Sequence, residues 1–181
     1  MEITMTTKEI AAAVQRVESA LRRRPEAGIH DDAPASAHWD GGLKMVTTHA
    51  NGFKLETDMP EELGGRGQDV TPGWLFRAGL ASCAATRIAM AAATEGIALS
   101  ALELTASSRS DTRGIFGMTE RDGSPVSAGP REVHLHVRIC APGVSRERLK
   151  VLVENSHRCA PVSCAMQEAI PVALHIEVED Q

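Results

Sequence analysis

Residues 74–95, "WLFRAGLASCAATRIAMAAATE", constrain this chain more than any other stretch. At helical spacing they are apolar on almost every side, and a helix of that kind has to be buried on most of its faces. The sequence therefore predicts a long helix, buried on most of its faces and ended by Gly96. No run of about 18 uncharged apolar residues occurs, so a membrane span is not expected.

Thr6 and Glu9 form a capping box, and Ile10, Ala13, Val14, Val17 and Leu21 follow at helical spacing, which predicts a helix over 7–23. Arg22, Arg23 and Arg24 suit its negative end, and Pro25 discourages continuation. Residues 25–40 lack any period and read as a linker. The runs "LKMVTTH" and "FKLETD" flank Asn51-Gly52, a pair that tolerates positive φ, and so predict a β-hairpin.

Beyond the central helix, "IALSALELTASSR" reads as a strand. In "REVHLHVRI", Val133, Leu135, Val137 and Ile139 alternate with outward His134, His136 and Arg138. Ser145 caps a helix to about Asn155, a short helix follows Pro161, and "PVALHIEVE" reads as a final strand. The order of elements fits α+β rather than regular βαβ units. The expected division is an N-terminal helix and linker over 1–42 and a single domain over 43–181.

With 3% aromatic residues, no tyrosine and a formal charge of −5, the chain is poorly suited to stack bases or attract a phosphate backbone, and no nucleic-acid partner is expected. "MEITMTTKEI" lacks the basic and apolar regions of a secretory leader, so the expected setting is a reducing cytoplasm. There the four cysteines read as thiols, catalytic groups or metal ligands rather than structural cross-links.

Cys83 stands in the apolar helix with Arg87 about 40° round the same face. A guanidinium favours the nucleophilic thiolate and burial opposes it, so spacing leaves both an inert core thiol and a reactive one open. The octapeptide "HRCAPVSC" carries His157, Cys159 and Cys164. Even with His134 or His136 these lack the second paired set of a strong zinc pattern, so no metal and no other cofactor is assigned. Cys140, at a strand end, reads as a packing residue. The glycines of "LGGRGQ" lack the Lys-Ser/Thr ending of a phosphate loop and read as a turn, and the adjacent Glu61 and Glu62 do not converge on one centre.

Taken in order, "ELGGRGQDVTPGWLFRAGLASCAATRIAMAAATEGIAL" and "HRCAPVSCAMQEAIPVALHIEV" resemble the family of osmotically inducible protein C and organic hydroperoxide resistance proteins, OsmC/Ohr, over roughly residues 43–178. The resemblance implies an intertwined homodimer with antiparallel sheets wrapped around long central helices. It also implies a thiol peroxidase that reduces organic hydroperoxides and is recycled by an outside dithiol, with Cys83 peroxidatic and Cys159 resolving. Three departures stand out. Gly73 occupies the position of the family's acid, the early strands hold no arginine (leaving Arg77 or Arg87 to substitute), and Cys159 is displaced by one residue from the resolving position, with Cys164 beyond it. They leave an alternative: a non-catalytic dimer of the same fold that binds a small apolar ligand.

Overall fold

The computed structural model describes residues 5–168 and 170–179. Helix α1 (Thr7–Arg23) begins at the predicted capping box, with the Glu9 amide donating to Thr6 Oγ1 at 3.3 Å and the Thr6 amide to Glu9 Oε2 at 2.7 Å. Strands β1 (Ser36–Trp39), β2 (Met45–Thr48) and β3 (Lys54–Thr57) form an antiparallel sheet in that order. Gly52, at φ +87°, turns the β2–β3 hairpin. The central helix α2 (Pro72–Thr94) starts where Thr71 Oγ1 accepts the Trp74 amide at 3.1 Å. It stops at Gly96, whose φ of +68° lets the Ile97 amide fold back to the Ala92 carbonyl.

Strands β4 (Ala101–Arg109) and β5 (Arg131–Cys140) make a second antiparallel pair, with Leu104 opposite Val137 and Ala106 opposite Leu135. The face carrying these residues is half-buried and β4 packs on α2, whereas His134, His136 and Arg138 point outward as the alternation predicts. Helix α3 (Arg146–Arg158) is capped by Ser145 and runs three residues past its predicted end, and α4 (Pro161–Glu168) follows at once. Ala92, Ala141, Leu149 and Leu152 form the central apolar cluster, joining α2, β5 and α3. The architecture is α+β with antiparallel sheets. No helix among the described residues is long and apolar enough to cross a membrane.

Three expectations are corrected. Residues 25–40 are not all linker, since Pro25–Gly28 form a 3₁₀ turn and Ser36–Trp39 form β1. A four-residue edge strand is specified by its neighbour β2 rather than by a period of its own. "PVALHIEVE" forms no strand within residues 170–179, and its apolar residues stand in water, Val172 at 93% exposure. Alternation can define a strand's two faces but cannot supply the sheet edge that a strand needs. Finally, α2 is buried chiefly along one stripe (Leu80, Ala84, Ile88, Ala92), while Trp74, Phe76 and Met90 remain exposed. The β4–β5 pair, α1, α3 and α4 pack on this helix, and the three-stranded sheet makes no substantial contact with it.

Candidate functional site

Cys83 lies at the middle of α2, half-buried, on the side that meets α4. The backbone amide of Val162 points at its sulfur, 3.5 Å away. Local sequence explains how that amide comes to be available. The Cys159 and Ala160 amides turn back to the carbonyls of Ser156 and His157 and close α3. Pro161 then opens α4 at a position where its missing N–H costs nothing, and the Cys164 amide bonds the Ala160 carbonyl at 3.0 Å. First-turn amides of a helix have no partner inside it, and the Val162 amide finds one in Cys83. The corner is firmly seated: Ala160 is fully buried, Ser156 is buried with its hydroxyl donating to the Leu152 carbonyl at 2.7 Å, and Ser163 Oγ and His157 Nδ1 share a hydrogen bond at 3.3 Å.

Beside this corner opens a cleft of about 490 Å³. Leu80, Ala84 and Ile88 of α2 form one wall and Val133, Leu135 and Val137 of β5 the other. Glu154, His157, Ser163 and Gln167 supply its polar lining. Cys83 and Val162 do not themselves line the cleft, but Ala84 and Ser163, the residues that follow them, do.

The other sequence candidates are placed unequally. Cys159 is exposed at the C-terminal cap of α3, three residues before Val162. Cys164 is half-buried, and its thiol donates to the Arg158 carbonyl at 3.3 Å. Cys140 is exposed on the outer face of the β5 end, not packed inside as expected, because its strand parity is that of the histidines. All four cysteines are free thiols. His134 and His136 face outward opposite Ser107 and Thr105, away from His157, and among the described residues no three metal-ligating side chains converge.

The charged partners are incomplete. Among the described residues no side chain hydrogen-bonds Cys83. Arg87 turns instead into the groove between α1 and α2, beside Val14, Val17 and Glu18. Arg77 reaches Ser108 Oγ at 3.4 Å and, among the described residues, has no carboxylate partner. A Cβ at Gly73 would stand 3.8 Å from Arg77 Nη1, so a side chain at this position would adjoin an arginine. Sequence spacing had named both residues without showing that they meet.

Two ordered loops escaped the sequence reading. Asp58 is buried and accepts the Met59 and Arg66 amides at 2.7 and 2.8 Å, and these bonds, the Arg66 one foremost, hold its carboxyl below the usual range. They shape the Gly-rich turn leading to α2, where a Cβ on Gly65 would lie 1.8 Å from the Met59 carbonyl oxygen. Between β4 and β5, Arg113 bonds Asp111 and Glu120 together, and its side-chain hydrogen bond lowers Asp111 to about 2.

A family model described as OsmC-like protein matches residues 65–175. Among solved structures, an organic hydroperoxide resistance protein OsmC from Legionella pneumophila is 26% identical, with a TM-score of 0.56 over 77% of this chain and 91% of that one. An organic hydroperoxide resistance protein from Elizabethkingia anophelis, also 26% identical, has a TM-score of 0.58 over 77% and 90%. An OsmC-like protein from Mycoplasma pneumoniae, at 20% identity and a TM-score of 0.61 over 77% and 89%, shares the fold. No curated protein matches the chain.

Proposed function

The chain belongs to the OsmC-like protein family, and from that footing we propose that it is a thiol-dependent peroxidase for organic hydroperoxides, with Cys83 peroxidatic and Cys159 resolving. Hydroperoxide resistance in the names of the Legionella and Elizabethkingia proteins supports the reaction class. The observation that carries the reading to these residues is the Val162 amide aimed at the Cys83 sulfur beside an apolar cleft. A backbone donor stabilises negative charge on sulfur, and apolar walls suit an alkyl group better than water.

In the reaction the Cys83 thiolate attacks the terminal oxygen of R–O–O–H. The S–O bond forms as O–O breaks, and the alkoxide leaves and takes up a proton as the alcohol. The Cys159 thiolate next attacks the sulfenic sulfur, expels hydroxide that is protonated to water, and closes a Cys83–Cys159 disulfide. An outside dithiol restores both thiols and leaves as its own disulfide.

The reading includes a homodimer, supported by the exposed apolar positions of α2 and of residues 170–179, for which a second copy is the proposed cover. It keeps residues 1–42 as an extension to the domain over 43–181, one whose strand β1 joins the domain's first sheet, and places the protein in the cytoplasm. One observation favours the alternative. With Gly73 in the acid's place and no arginine bonded to Cys83, the site matches a non-catalytic dimer that holds a small apolar ligand in the same cleft.

Consumption of tert-butyl hydroperoxide with dithiothreitol as reductant separates the two. The peroxidase reading expects turnover by the native chain, background rate for Cys83→Ser, and inactivation over successive turnovers for Cys159→Ser. Equal rates for the native chain and Cys83→Ser would leave the binder.

A further inference from the structure

We propose that Cys164 is a third redox thiol, which takes the disulfide over from Cys83 and presents it to the reductant as a Cys159–Cys164 pair. The proposal rests on the peroxidase reading above. Its starting point is the bond from the Cys164 thiol to the Arg158 carbonyl, at 3.3 Å. That oxygen belongs to the peptide whose nitrogen is the Cys159 amide. In a planar trans peptide the oxygen lies roughly 2.8 Å from the next Cα, so the Cys164 sulfur stands within about 6 Å of the Cys159 Cα. A disulfide between them requires the two side chains to rotate toward each other and the start of α4 to shift until the two Cα atoms lie within about 7 Å.

The same short segment touches Cys83. Val162, whose amide meets the Cys83 sulfur, lies two residues before Cys164 and three after Cys159. Exposure then assigns the order of events. Cys83 and Cys164 are half-buried and Cys159 is exposed, so a bulky dithiol reaches the Cys159 sulfur first. With Cys83 as the bonded partner, α2 stays cross-linked to the C-terminal end of α3 until the reductant arrives. With Cys164 as partner the cross-link is confined to the corner and Cys83 is free.

The step is an exchange without net oxidation. The Cys164 thiolate, its proton given to solvent, attacks the Cys159 sulfur of the Cys83–Cys159 disulfide. The Cys159–Cys164 bond forms, the Cys83–Cys159 bond breaks, and the electron pair leaves on Cys83 as thiolate. The outside dithiol then attacks Cys159 and ends as its own disulfide, returning both corner thiols.

Stoichiometry without reductant tests this. The full chain carrying Cys140→Ser, which removes the exposed thiol on β5, is titrated stepwise with tert-butyl hydroperoxide, with dimedone added after the first equivalent to trap sulfenic acid before it oxidises further, and digested with trypsin. Cleavage after Arg77, Arg87 and Arg158 puts Cys83 in the peptide 78–87 and both corner cysteines in the peptide 159–181. The relay predicts two equivalents of peroxide consumed per chain, a 159–181 peptide lighter by two hydrogens, and dimedone on the 78–87 peptide. With Cys164→Ser, and with Cys164→Ala as a second variant against a packing effect, it predicts one equivalent and a linked pair of peptides. One equivalent and linked peptides in the parent as well would overturn the relay and leave the peroxidase standing. No consumption beyond that of Cys83→Ser would remove the peroxidase reading, and the relay with it.

Discussion

Cys83 and Arg77 stand six residues apart on one helix, and their surroundings differ in kind. On Cys83 the polar contact is a first-turn amide of α4, and the corner that presents it is held by a fully buried Ala160 and a buried Ser156 bonded to the Leu152 carbonyl. Around Arg77 the contacts depend on side chains and are unfinished, with one hydroxyl at 3.4 Å and no side chain on the neighbouring Gly73. A backbone donor persists through sequence change because any residue except proline supplies it, whereas an ion pair disappears with one substitution. In this chain the sulfur's cradle is therefore complete without its charge network.

Four substitutions press on this contrast, the first hardest. Leu152 is fully buried beneath the corner, and Leu152→Ala is expected to cost about 2–5 kcal/mol in chemical denaturation, because the cavity left in α3 cannot collapse. A cost near zero would mean that the corner is not anchored there. Ala160→Leu pushes extra volume into a site with no exposure and should cost about 1–3 kcal/mol. It should also slow Cys83 oxidation by peroxide, measured by stopped flow, although no thiol is altered. An unchanged rate would show that the Val162 amide is dispensable.

On the α2 approach and in the β4–β5 loop the lever is pH. The Asp58 and Asp111 carboxyls are both lowered, so the stability they contribute is complete above the ordinary carboxylate value of 3.8 and is lost as pH falls below it, for Asp111 down to about 2. Melting temperatures should fall across that window, and Asp111→Asn should flatten the lower part of the curve. The smallest effect belongs to Gly73→Glu. It offers Arg77 a carboxylate and should raise stability by about 1 kcal/mol or less, seen as a slight rise in Tm. No rise would mean that a side chain at 73 does not reach the guanidinium.

The same division explains what could be read from the sequence. Thr6 and Glu9, Asn51-Gly52 and the alternation from Val133 to Ile139 are local signals with a local cause, and each element stands where they put it. β1 and the unpaired residues 170–179 depend on whether a neighbouring edge is available, which no period records. Cys83, Cys159 and Cys164 were legible as thiols in an arrangement similar to a known family. The Val162 amide was not, because a backbone donor leaves no mark in residue type, and neither was Asp58, whose partners are amides on its own loop.

The central claim is that the sulfur under the Val162 amide is the one that meets peroxide. It is tested most directly by trapping the first oxidation product in a Cys159→Ser/Cys164→Ser double variant exposed to one equivalent of tert-butyl hydroperoxide. A dimedone adduct on the 78–87 peptide, which holds Cys83, is expected in near-stoichiometric yield. An adduct confined to Cys140, or none at all, would contradict it.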